Sequence, residues 1–152
     1  TNLNINPETA AELSALPTIN GIKECRIEQA GEVANLCGDN LNLYSGEDGM
    51  VLPLLSFGGI GVISVIATIV PALTHQMVAA WLRGDVAEAI RLQVHLTPLC
   101  KAMFCDVNPI PVKAAMNMMG LNVGACRLPL CETSPANLAV IRKMLADYQL
   151  LP

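Results

Sequence analysis

The chain has 152 residues, enough for one domain with a real core. Apolar residues make up 53% and charged residues 14%. So surface-poor a balance implies contact with another chain or with another part of a larger protein. The net charge of −4, with no run of Lys or Arg, excludes the basic footprint of a nucleic-acid binder.

Asn6-Pro7-Glu8 is a helix start, with Asn6 as N-cap and Pro7 at the first helical position. The helix runs from Pro7 to Leu16, with Ala10, Leu13 and Leu16 at helical spacing, and Pro17 stops it. Thr18-Ile19-Asn20-Gly21-Ile22 reads as a buried strand ending at Lys23. From Arg26 to Cys37 the period is helical again, and Gly38 is its stop. Leu41 to Ser45 is a second strand, closed by Gly46. Glu47-Asp48 opens a helix from Gly49 to Phe57, with acids at its positive end. Gly58-Gly59-Ile60-Gly61 is a tight turn, and Val62 to Ile66 is a third strand, apolar on both faces.

Strands alternating with helices predict an α/β fold with a parallel sheet. From Pro71 onward the strands stop. Helices are predicted from Pro71 to Arg83, ended by Gly84, and from an Asp85 cap to about Phe104. Two more follow, from Asn108-Pro109 to Gly120 and from Ser134-Pro135 to about Leu150, with a loop over Leu121 to Glu132.

Gly49 to Leu73 carries no charge and has the length of a membrane span. A span is nevertheless rejected, because the stretch contains Pro53, Gly58, Gly59, Gly61 and Pro71 and its period switches midway. Thr1 to Asn6 lack a basic region and an apolar core, so no secretory leader is expected. The six cysteines, Cys25, Cys37, Cys100, Cys105, Cys126 and Cys131, form no Cys-x-x-Cys pair and have no histidine at zinc spacing. They read as buried free thiols in a reducing, cytoplasmic compartment, with a Cys126–Cys131 disulfide as the less favoured alternative. Neither a metal nor a cofactor is expected.

Lys23 is the candidate for chemistry. In an α/β layout, a polar residue at the C-terminal end of a strand faces the place where such folds work. Desolvation lowers a lysine's pKa and frees the amine to attack a carbonyl. By spacing alone, Lys23 is equally a surface lysine at a strand end.

Four motifs occur in order: Gly21-Ile22-Lys23-Glu24, Ser45-Gly46-Glu47-Asp48, Gly58-Gly59-Ile60-Gly61-Val62-Ile63-Ser64-Val65, and Asn108-Pro109-Ile110-Pro111-Val112-Lys113. With them the chain resembles the dihydrodipicolinate synthase family of pyruvate-dependent class I aldolases, from about Thr1 to the C-terminus. The third and fourth motifs fit the synthases better than N-acetylneuraminate lyase or keto-sugar aldolase relatives. The resemblance implies the second part of a TIM (β/α)8 barrel, with strands six to eight over residues 1–83, followed by a C-terminal helical domain over residues 84–152. The complete fold takes roughly 250 residues. The family's paired threonines, proton-relay tyrosine and carboxylate-binding arginine would then fall before Thr1; Tyr44 and Tyr148 do not match that tyrosine.

By the same resemblance, Lys23 is the lysine that forms a Schiff base with pyruvate, and the derived enamine attacks L-aspartate 4-semialdehyde. Gly46 and Ile63 would line the pyruvate pocket through backbone atoms. Gly46 is otherwise a turn glycine, and Ile63 a core residue. Strand alternation points Glu24 away from Lys23, which makes it structural. His75, His95 and Ser45 read as structural or surface residues. Arg26 stands where relatives often carry a small or hydroxyl residue. A homo-oligomer, dimer or tetramer, is expected, with neither nucleic acid nor membrane as partner. The other function class is a non-catalytic half-barrel that serves as an assembly partner. Alone, the chain is expected to be a poor enzyme and a poor monomer, because three strands cannot close a barrel.

Overall fold

The structure, a computed structural model, describes residues 3–152. Thr1 and Asn2, where the leader reading begins, lie outside the described residues. The chain divides into two compact units. Residues 3–64 and 76–93 form a sheet unit, and residues 65–75 and 94–152 a helical unit.

In the sheet unit, α1 (Pro7–Ser14) precedes β1 (Gly21–Glu24), α2 (Ile27–Cys37) and β2 (Asn42–Ser45). A 3-10 turn at Asp48–Met50 leads into the short α3 (Val51–Leu55), and β3 (Gly61–Val62) follows. The three strands are parallel in the order β1-β2-β3, as the alternation of segments predicts. Lys23 stands opposite Tyr44, and Tyr44 opposite Gly61. One face of the sheet is covered. Ala10 of α1, Ala30, Val33 and Cys37 of α2, Leu41 and Leu43 around β2, and Leu54 of α3 form a buried cluster, with Ile19 and Ile22 packed against it. Cys37 is therefore a small apolar core residue.

The first strand is not buried as expected: Thr18 and Asn20 are exposed, and regular pairing begins only at Gly21. The third strand is also shorter than the predicted Val62–Ile66. Ile63 makes one more ladder bond, its amide donating to the Ser45 carbonyl at 2.8 Å. β2 ends at Ser45, so nothing remains for later residues to pair with. The chain instead turns at Val65, whose carbonyl accepts from the Thr68 hydroxyl at 2.8 Å, and forms a 3-10 turn over Ile66–Thr68.

Two further helices, α4 (Pro71–Leu82) and α5 (Val86–Met103), contribute residues to both units. Among the described residues, no helix is long and apolar enough to cross a membrane. In the sheet unit, the Asp85 carboxylate accepts from the Glu88 amide at 3.2 Å, so it caps α5 as predicted. Asn6 does not cap α1 with its side chain, which instead accepts from the Asn4 amide group at 3.1 Å. Gly38, Gly84 and Gly120 all sit at positive φ past helix ends, the conformation that makes glycine a helix stop.

In the helical unit, α6 (Ile110–Met118) packs against α7 (Pro135–Asp147). Leu96, Leu99, Met103, Ala115, Ile141 and Leu145 are buried there. Ser134 caps α7, its hydroxyl accepting from the Asn137 amide at 3.2 Å.

All six cysteines are free. Only Cys37 and Cys100 are buried; Cys105 and Cys126 are half-buried, and Cys25 and Cys131 are exposed. The expectation of uniformly buried thiols is corrected. Cys25 follows the last residue of β1, and Cys131 lies in the irregular loop before α7, where packing does not enclose either side chain.

Candidate active site

Parallel strands carry their C-terminal ends to one edge of the sheet. Lys23 is the third residue of β1, Gly46 follows β2 directly, and Ile63 follows β3 directly. The register therefore brings the three candidates to the same edge, on three neighbouring strands. Lys23 and Gly46 meet. A methyl group built on Gly46 would come within 2.9 Å of both Cγ and Cε of Lys23, and would collide with Sγ of Cys25. Glycine at 46 is thus the only residue that lets the lysine stem lie across the end of β2.

The amides of both flanking residues are engaged in the ladder. Gly46 donates to the Glu24 carbonyl at 2.6 Å, and Ile63 to the Ser45 carbonyl at 2.8 Å. The Ile63 side chain is 49% exposed, which corrects its reading as a core residue. Its strand has already ended, so no covering layer is specified for it. Lys23 is exposed as well, in contrast to the desolvated amine anticipated from the sequence.

Glu24 points to the other side, as alternation predicts, and is buried at 5% exposure. Its two carboxylate oxygens accept from the Arg26 amide and from the side-chain amide of Gln29, both at 2.6 Å. Gln29 also donates to the Ile5 carbonyl at 3.0 Å and accepts from Asn4 at 2.8 Å. The carboxylate is thus a structural pin that fixes the turn after β1. Ser45 is buried and bonded locally, its hydroxyl donating to the Glu47 carbonyl at 2.9 Å.

A hollow of about 480 Å³ opens beside the end of β1, bordered by Lys23 and Cys25 and, from the Glu24 side, by Ile22, Glu24 and Gln29. The larger cavity, about 560 Å³, is lined by helical-unit residues alone. Size does not select between them. Only the first has a lysine at a strand end, and neither Gly46 nor Ile63 lines it.

Tyr44 was not singled out by the sequence as a site residue. It shares a face with Lys23 on the next strand, and its ring is half-buried between two glycines. A methyl group on Gly21 would stand 3.1 Å from that ring, and one on Gly61 would stand 3.4 Å from it. Alternating glycines on the strands either side of an aromatic residue were the available signal. His75 and His95 are exposed, and the His95 ring lies 5.0 Å from that of Tyr148, centroid to centroid. Among the described residues, no group of three or more His, Cys, Asp or Glu could hold a metal ion.

The sequence matches the Dihydrodipicolinate synthetase family over residues 1–147. The chain belongs to that family. It is 49% identical over 151 residues to a 4-hydroxy-tetrahydrodipicolinate synthase of Acetivibrio thermocellus, covering 99% of this chain and 52% of that protein. Against the protein of the same name from Caldicellulosiruptor saccharolyticus, identity is 53% over 150 residues, with 97% and 50% covered. A solved dihydrodipicolinate synthase from Thermotoga maritima superposes with a TM-score of 0.94 at 36% identity, covering 99% of this chain and 53% of that one. The chain therefore has the α/β fold of dihydrodipicolinate synthase structures and spans about half the length of the curated relatives it matches.

Proposed function

We propose that this chain is the second part of a 4-hydroxy-tetrahydrodipicolinate synthase, contributing the last three strands of a (β/α)8 barrel and a C-terminal helical domain. In this reading Lys23 is the imine-forming lysine for pyruvate, which is condensed with L-aspartate 4-semialdehyde. The observation that carries it is the Lys23 stem lying across Gly46 at the common edge of three parallel strands, in a chain of the Dihydrodipicolinate synthetase family.

The chemistry follows from an amine. Nζ of Lys23 adds to the pyruvate carbonyl, and loss of water leaves an imine. Once protonated, the imine draws electrons from the methyl group, which gives up a proton and becomes an enamine carbon. That carbon attacks the aldehyde, and ring closure follows. The amides of Gly46 and Ile63 are engaged in the ladder, so their carbonyls are the backbone groups through which they would meet a ligand. The exposed Lys23 requires a covering structure to exclude water. We attribute that cover to a homo-oligomeric, complete barrel; one solved relative is described as a monomeric variant.

Incubation with pyruvate, borohydride reduction and peptide mapping test the assignment. A pyruvyl adduct on Lys23 is expected. An adduct on another lysine, or none in a preparation shown to be active, overturns it. A second reading, a non-catalytic assembly partner, is favoured by the coverage of about half of each relative. That reading predicts no adduct even when the chain is saturated with pyruvate.

A further inference from the structure

The loop between α6 and α7 carries Cys126 and Cys131, and both border the cavity of about 560 Å³. Between them runs a tight turn, in which the Leu130 amide donates to the Arg127 carbonyl at 3.1 Å. A turn closed in this way holds its first and fourth Cα atoms within about 7 Å. Cys126 and Cys131 are the residues immediately outside that turn, one on each arm. A disulfide needs Cα atoms roughly 4.4–6.8 Å apart, and the turn folds the chain back so that Cys126 and Cys131 lie on its two neighbouring arms.

The two arms are also fixed independently. On the Cys126 side, the Lys113 ammonium donates to the Ala125 carbonyl at 2.7 Å. Asn117 exchanges two hydrogen bonds with Gly124, at 3.0 and 3.2 Å. On the Cys131 side, the Thr133 hydroxyl donates to the Asp106 carboxylate at 2.5 Å, and Asn137 donates to the Thr133 hydroxyl at 2.9 Å. Anchored arms leave little conformational freedom to be lost when a bridge closes. The thiols differ in access, with Cys131 exposed and Cys126 half-buried.

We propose that Cys126 and Cys131 are a redox-active dithiol, a modification site that a low-molecular-weight disulfide converts to an intramolecular bridge. The exposed Cys131, as thiolate, attacks one sulfur of the incoming disulfide. A mixed disulfide forms, the original S–S bond breaks, and one small thiolate leaves and takes up a proton. Cys126, as thiolate, then attacks the Cys131 sulfur, forming the protein bridge and expelling the second small thiolate, which is protonated in turn. Two electrons pass from the protein pair to the oxidant. The exposed Cys25 has no such neighbour in its turn and stops at the mixed disulfide.

Glutathione disulfide is the probe, applied to the folded 152-residue chain, followed by alkylation and trypsin digestion. Cleavage after Lys113, Arg127 and Arg142 separates Cys126, in residues 114–127, from Cys131, in residues 128–142. The expected result is that these two peptides remain joined until reduction, with both thiols lost together and no glutathione kept on either. In Cys126→Ser, Cys131 should instead retain one glutathione. Separate glutathionylation of Cys126 and Cys131 in the unsubstituted chain would overturn the proposal. So would joining of either peptide to a different cysteine, or alkylation of both under conditions that modify Cys25.

Discussion

The edge of the sheet and the loop after α6 are built on opposite plans. At the sheet edge, regular strands carry the side chains: register sets which residues are neighbours, and alternation sets which face each takes. In the loop, the backbone from Leu121 to Thr133 has almost no regular structure. Side chains on α6, together with Asp106 and Asn137, hold it by individual hydrogen bonds. One region is fixed by backbone geometry and leaves its functional candidate exposed. The other is fixed by side chains and borders a cavity. A change of side chain should therefore alter chemistry at the sheet edge and order in the loop.

The largest effect is expected from Lys23→Ala, which should remove all borohydride-trapped pyruvate while leaving circular dichroism unchanged. Lys23 is exposed and belongs to no buried cluster, so the fold loses little. An adduct that survives at normal yield would mean that the sheet edge is not the reactive region.

Gly46→Ala tests whether backbone geometry positions the amine. The added methyl would meet the Lys23 stem at 2.9 Å and collide with Cys25. The stem must move, and a displacement of about 1 Å costs on the order of 10²-fold in rate. Trapping should slow by about that factor, and Cys25→Ala in the same chain should recover part of it by giving the methyl room. An unchanged trapping rate in Gly46→Ala would show that the contact has no bearing on the chemistry.

Much of the sheet edge could be read from the sequence, because its determinants are local. Strand alternation assigned Glu24 to the face opposite Lys23, and the order of segments predicted parallel neighbours. Glycine stops at 38, 84 and 120 followed from the φ that glycine alone adopts freely. The extent of the third strand was not readable, since it depends on where β2 runs out of partners, a property of another segment. The exposure of Lys23 and Ile63 was missed for a related reason: an apolar run states a preference for burial without stating what will cover it. The loop was read only as a loop. Nothing in the spacing of Lys113, Asn117 and Asp106 announces that they hold residues 124, 125 and 133.

Asn117→Ala probes the loop directly. It removes two hydrogen bonds to Gly124 at a position that is itself exposed. A loss of about 1–2 kcal/mol in urea unfolding is expected, with pyruvate trapping at Lys23 unaffected. The loosened arm should also slow closure of the Cys126–Cys131 bridge. A change in trapping with no change in stability would contradict the division of roles between the two regions.

The smallest effect is a pH dependence centred on Asp106. Its carboxyl titrates below the ordinary value of 3.8, first because the Thr133 hydroxyl donates to it, then because the Val107 amide and Asn137 do so. The charged form is thus favoured by the folded state. Stability from this source is fully present above the unfolded value and is lost as pH falls through the lower folded value. Asp106→Asn should therefore be less stable than the parent at neutral pH, and the gap should narrow as pH drops below about 3.8. Glu88 shifts in the same direction through its hydrogen bond with Arg91, so acid weakens both proteins and only their difference reports on Asp106. Urea midpoints of the pair between pH 7 and pH 3 measure it. A gap that stays constant, or that widens in acid, would mean that the charge on Asp106 does not hold Thr133, and that the Cys131 arm of the loop owes its order to packing alone.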